Sequence, residues 1–185
     1  GHRDLATFAF TPNDRVWVFS YSRLPQENSA LITRLQQAEV REVVYLSSSS
    51  VIVKRRTTCW EYPRVKAQAQ TRVRALPNGR VLTVGLMHGH EEELPAGPQM
   101  ATSHAELAAF MQAPHWPHDN GRACHLMRCV QRPFRHRLEA LAHRSYGVLQ
   151  KLCGPWPCLL RPLDLLLRTA HMRWYGYTYL STRLW

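Results

Sequence analysis

Along the first half of this chain, short unbroken apolar runs alternate with sets of apolar residues at helical spacing. DRVWVF, REVVYL (Arg41–Leu46) and VLTVGLM are rich in β-branched residues and too short for helices, which predicts buried strands. Between the first two lies ALITRLQQAEV, where Leu31, Leu35 and Ala38 recur at helical spacing and Asn28 suits the helix start. Between the second and third, a helix is predicted from Pro63 through Val73, with proline tolerated in its first turn. Gln68, Gln70, Arg72 and Arg74 give that helix a polar outer face, and PNG (Pro77 to Gly79) ends it in a turn.

The second half has a weaker pattern. SHAELAAFMQ predicts a short helix with Ser103 as cap and Glu106 completing a capping box. APHWPHDNG is a proline- and histidine-rich loop. Leu138, Leu141 and Ala142 predict a basic amphipathic helix, which CGPWPC breaks. LLRPLDLLLRTA predicts a buried or interface helix, and Tyr175, Tyr177 and Tyr179 share one face of an extended segment expected to cover the core as a strand. No internal repeat is present.

Candidate chemistry clusters around the second strand. Four serines, Ser47 to Ser50, follow REVVYL, so hydroxyls emerge at a strand's carboxyl end, where open α/β sheets bind ligands. Tyr62 and Lys66 stand four apart, which puts phenol and ammonium on one face of a helix. A free tyrosine, with a pKa of about 10, is a poor acid–base catalyst at neutral pH. A nearby cation favours the phenolate and brings it toward the working range. Lys54, Arg55 and Arg56 offer a phosphate grip or simply a solvated basic turn. HGHEEE (His88 to Glu93) has no recognised zinc spacing, so no metal site is expected.

The order of these motifs resembles the short-chain dehydrogenase/reductase superfamily, in its extended branch of sugar-nucleotide epimerases and dehydratases. The resemblance rests on DRVWVFSYS, Asn28, ALITRLQQAEV, VVYLSSSSV, YPRVK and RVLTVGLMHGH, and covers roughly residues 4 to 92. It implies an α/β fold: a Rossmann-like, mainly parallel sheet with flanking helices over residues 1–92, carrying the Ser/Tyr/Lys site. Residues 93–185 would form a small C-terminal helical and loop region that makes the substrate or interface part. The implied catalytic set is Ser48 as substrate anchor, Tyr62 as acid/base, Lys66 as tuner and Asn28 as holder of a relay water. The implied cofactor is NAD or NADP, touched by Asp4 at the adenine and by Ser20, Tyr21 and Ser22 near the nicotinamide. Tyr62, Lys66, Gly85 and Met87 would also contact it. Ser48, Ser49 and His88 would face a nucleotide-linked substrate, and the family's pairing through helices implies a homodimer. The sequence departs from the pattern at Thr83, where the family has arginine, and at His88, where it has tyrosine.

Composition changes this picture in three places. With 185 residues and 45% hydrophobic content, one ordinary domain with its own core is expected. The chain is short for an extended-branch enzyme, and no G-x-x-G-x-x-G follows a strand in it. The expectation is therefore either a longer polypeptide or a degenerate cofactor site, the latter making the chain a binding or scaffolding subunit. A net charge of +11, nearly all from scattered arginines, points to an anionic small ligand. No nucleic-acid-binding motif accompanies it, so an RNA-binding role would rest on charge alone. Five cysteines without a C-x-x-C fit reduced thiols in a cytoplasmic protein, and no apolar run is long enough to span a bilayer.

Overall fold

A computed structural model describes residues 9–19, 22, 24–56, 61–113, 116, 121–153, 159 and 162. The three expected strands form as β1 (Arg15–Val18), β2 (Glu42–Ser48) and β3 (Gly79–Val84). They lie side by side and parallel, with β2 in the middle. A further strand, β6 (Ala123–Leu126), adds in parallel beyond β3 and completes a four-stranded sheet in the order β1-β2-β3-β6.

Helices α1 (Pro25–Gln37) and α2 (Glu61–Ala75) cover one face, and α3 (His104–Gln112) covers the other. This explains why β2 is an unbroken apolar run: a doubly covered strand must bury both sets of side chains. Val43 and Tyr45 join Ile32, Leu35, Ala69 and Val73 on the α1/α2 side. Val44 and Leu46 join Leu107, Phe110 and Trp116 on the α3 side. At the opposite end of the sheet from the serines, the buried carboxylate of Glu42 sits between Arg15 of β1 and Arg80 of β3 and ties all three strands by charge.

A second sheet holds β4 (Leu86–His88), β5 (Gly97–Ser103) and β7 (Arg128–Arg132) in the order β4-β5-β7. β5 runs parallel to β4 and antiparallel to β7. Only Gly85 separates β3 from β4, and only Met127 separates β6 from β7. Two strands that pair in the first sheet therefore diverge and admit β5 between them. Gly85 is required there, since a Cβ would lie 2.4 Å from the Met100 carbonyl oxygen. The Gly85 amide donates to Thr102 Oγ1 at 2.9 Å, and the same hydroxyl donates to the Leu126 carbonyl. Thr102 is fully buried, so one side chain closes the gap that the split opens.

Three sequence expectations change. Helix α1 begins at Pro25 with Leu24 as cap, so Asn28 lies inside the helix and not at its start. Proline's fixed φ and missing N–H suit a first helical position and move the boundary forward. Residues 93–132 were expected as helix and loop but supply β5, β6 and β7, and β6 returns to the parallel sheet, so the sheet does not end at residue 92. ACHL and RCVQR are short and interrupted by polar side chains, which hides their strand character. Gln70, expected on the outer face of α2, turns inward (below). The Ser103–Glu106 capping box forms as expected, with both of its hydrogen bonds. The expected amphipathic helix also forms, as α4 (Arg137–Cys153). LLRPLDLLLRTA, apart from Leu159 and Pro162, and the terminal aromatic segment lie outside the described residues.

The Thr102 bridge has a measurable consequence. Thr102→Val keeps the shape but leaves the Gly85 N–H and the Leu126 carbonyl unsatisfied in a dry environment, at a cost of about 1–3 kcal/mol. Urea unfolding should show a lower midpoint with an unchanged slope. An unshifted midpoint would mean that the bridge is not needed to hold the split.

Candidate functional site

Helix α2 runs from the carboxyl end of β2 back toward the start of β3, with Val73 and Leu76 packed near Val43 and Gly79. Its first turn, with Tyr62, therefore stands at the same end of the sheet as the serines. Along its inner side, Lys66 and Gln70 are one turn apart and both grip β2. The Lys66 ammonium donates to the Leu46 carbonyl at 2.9 Å, and Gln70 Oε1 accepts from the Ser47 hydroxyl at 2.9 Å. The ammonium also lies over the Tyr45 ring, 4.9 Å from its centroid. Burial disfavours the charged form and brings the Lys66 pKa down to about 8.

The serines divide their work. Ser47 is buried and paired with Gln70. Ser48, the last residue of β2, accepts a hydrogen bond from the Ser50 amide at 3.2 Å and turns the chain into the short 3-10 stretch at Ser49–Arg56. Ser49 and Ser50 are buried, and the Ser50 hydroxyl has no hydrogen-bond partner among the described residues. Tyr62 is 41% exposed, whereas Lys66, one helical turn on, is buried. Ser48 and Ser49 thus stand at the same end of β2 as the first turns of α2, which carry Tyr62 and Lys66.

The remaining candidates fall elsewhere. Asn28 is buried on the α1 side, where it grips the backbone of the β1–α1 connection. Its Oδ1 accepts from the Ser22 amide at 3.1 Å, and its Nδ2 donates to the Ser22 carbonyl at 2.8 Å. Ser22 in turn accepts from the Leu24 amide through its hydroxyl at 3.1 Å. This is a loop clasp, and it accounts for both residues structurally. Gly85 is buried against β5, and Met87 packs on the apolar cluster beneath α3. His88 is buried at the end of β4, and neither ring nitrogen has a hydrogen bond among the described residues. Asp4, Ser20 and Tyr21 lie outside the described residues.

Sequence reasoning missed Tyr45 and Gln70, which hold the inner side of α2 to β2. The available signal was spacing: Gln70 follows Lys66 by four, as Lys66 follows Tyr62. Among the described residues no group of histidine, cysteine and acidic side chains could hold a metal, and no helix is long and apolar enough to cross a membrane. Cys124 and Cys129 are free thiols.

The lowered Lys66 pKa fixes the sign of a stability profile. Above pH 8 the folded protein sheds this proton while the unfolded chain holds it to about pH 10.5, so folding gains stability as pH rises through that window. The gain is lost as pH falls back through 8. Relative to Lys66→Met, the wild type should gain about 3 kcal/mol across the window, measured by urea denaturation at a series of pH values. A difference that stays constant with pH would show an ordinary, solvated lysine.

No protein-family model matches this chain, and no curated protein does. A solved structure, the X-ray structure of Pen from Bacillus thuringiensis, is similar at 11% identity with a TM-score of 0.46. The likeness covers 83% of this chain and 57% of that one, so the chain spans well under two thirds of that protein. A likeness this distant carries neither a family nor an activity.

Proposed function

We propose that this chain is a cytoplasmic oxidoreductase-, epimerase- or dehydratase-like protein, dependent on NAD or NADP. Its substrate would be a nucleotide-linked sugar or a similar alcohol or ketone. The observation that supports the reading is Lys66: a buried ammonium with a pKa near 8, bonded to Leu46 two residues before Ser48, and one helical turn from Tyr62. A lysine buried at this cost beside a solvent-open tyrosine is an arrangement suited to proton transfer near neutral pH.

In this reading Tyr62 Oη gives or takes the proton of the reacting hydroxyl, and Ser48 Oγ holds the substrate oxygen. Lys66 biases the phenol toward phenolate, and its buried stem fixes where that bias acts. Gln70 and Tyr45 position Lys66 by locking α2 to β2. A bound nicotinamide would supply or take the hydride. The donor set of ammonium, phenol and serine hydroxyls suits the hydroxyl-bearing ribose and sugar. For a pyrophosphate the same sequence offers no G-x-x-G-x-x-G turn, so no residue here is assigned to it.

A second reading is a catalytically inactive relative that binds or scaffolds. It is favoured by the engagement of the Lys66 ammonium with a backbone carbonyl and the Tyr45 ring, which directs its charge into the fold.

Titration with NADH and NADPH, then turnover against a panel of nucleotide sugars, separates the two. Tyr62→Phe should lower turnover by roughly 10² to 10⁴ while leaving dinucleotide affinity nearly unchanged. Lys66→Met should weaken dinucleotide binding as well and move the pH–rate optimum upward. Wild-type protein that binds neither dinucleotide would favour the scaffolding reading. Full activity in Tyr62→Phe would place the chemistry elsewhere.

A further inference from the structure

Helix α4 is docked with its faces reversed. An amphipathic helix ordinarily buries its apolar stripe and shows its polar side to water. Here the side turned to the domain carries His143, which is buried against Phe134 with ring centroids 5.2 Å apart and packs over Gly97. The side turned outward carries Leu138, Leu141, Val148 and Leu152, which are 75%, 61%, 55% and 67% exposed. Leaving four large apolar side chains in water is unfavourable by about 1.5–3 kcal/mol for each one that could be buried. The fold accepts this cost on a helix that reaches about 25 Å from end to end.

The spacing of the exposed residues says what kind of surface fits them. Positions 138, 141, 145, 148 and 152 advance by three and four in turn, with Ser145 the polar member. These are the a and d positions of a coiled coil, and Ala142 and Leu149 take the e positions beside them in the sequence. Arg137 and Arg144 are exposed and both occupy the g position beside the seam, and Lys151 follows at the same spacing in the sequence. In an antiparallel pair of two copies, these basic g positions would face each other and repel. A chain of net charge +11 adds a long-range repulsion between copies.

We propose that α4 is a docking helix for a partner of stated chemistry: an amphipathic helix with apolar a and d residues and glutamates or aspartates at e and g. The seam supplies the apolar contact, and Arg137 and Arg144 select an acidic partner over a second copy of this chain.

The test uses the full chain and a fluorescent four-heptad peptide with Ile at a, Leu at d and Glu at e and g. Its own charge opposes self-pairing. Anisotropy titration should show saturable binding that weakens as salt is raised. Leu141→Gln and Arg144→Glu should each weaken binding at least tenfold. Both positions are solvent-exposed, and circular dichroism would confirm that the variants keep the wild-type fold. A companion peptide with Lys at e and g should bind at least tenfold more weakly. Several outcomes would overturn the proposal: no binding of the acidic peptide, equal binding of the lysine peptide, or equal binding by the Leu141→Gln protein. Two further measurements bear on the other occupants. Self-association in sedimentation velocity that Leu141→Gln abolishes would assign the seam to a second copy. Binding to phosphatidylserine vesicles that Leu141→Gln abolishes, with no peptide binding, would assign it to a membrane.

Discussion

The architecture turns on a single hydroxyl at the point where one sheet becomes two. β3 and β6 pair in parallel and then separate, and any such separation strands backbone donors and acceptors away from water. Thr102 answers this by accepting from Gly85 and donating to Leu126, so the last pairing lost in the first sheet is replaced by a side chain of β5. The absence of a Cβ at Gly85 lets β5 come close enough for the exchange. Without that close approach β5 could not wedge between β4 and β7, and the second sheet would have no central strand. Ser103, the next residue, caps α3, so the same strand also sets where the helix that covers the α3 face begins.

Helix α2 carries the second constraint. A parallel strand followed by a helix that returns along it places the helix's first turn beside the strand's last residues. The first turn of α2, which carries Tyr62, and Ser48 at the end of β2 therefore lie toward the same end of the sheet. What topology does not dictate is the buried lysine. An apolar residue at position 66 would pack against Tyr45 without the desolvation cost. The fold keeps a cation with a pKa near 8 in that place, one helical turn from Tyr62. That expense is the physical content behind the catalytic proposal.

How much was legible in the sequence follows from how each element is covered. β1, β2 and β3 were legible because double burial demands unbroken β-branched runs, and Val43–Leu46 show both faces filled. The Ser103–Glu106 box was legible because its two hydrogen bonds are local. β5, β6 and β7 were not read as strands, because ACHL and RCVQR are short, carry polar side chains and break at Met127, and the break at Gly85 inside VLTVGLM was not read either. Asn28 was misplaced because its partners, Ser22 and Leu24, precede the helix while Pro25 starts it. The helical spacing of Tyr62 and Lys66 was readable from the sequence, whereas the roles of Tyr45 and Gln70 needed the direction of α2 along β2.

Helix α4 marks the limit of pattern reading in a different way. Its periodicity was legible, but periodicity says only that a helix has two kinds of face, and convention assigns the apolar one to the core. The second sheet leaves little apolar surface for a helix to cover: Leu94, Ala101 and Val130 form its whole described cluster, with Leu86 against it. A small core of that kind accepts a helix through a compact ring contact, as between His143 and Phe134, and does not need a leucine stripe. The stripe then remains exposed, and it is on this stripe and its flanking arginines that the docking proposal rests.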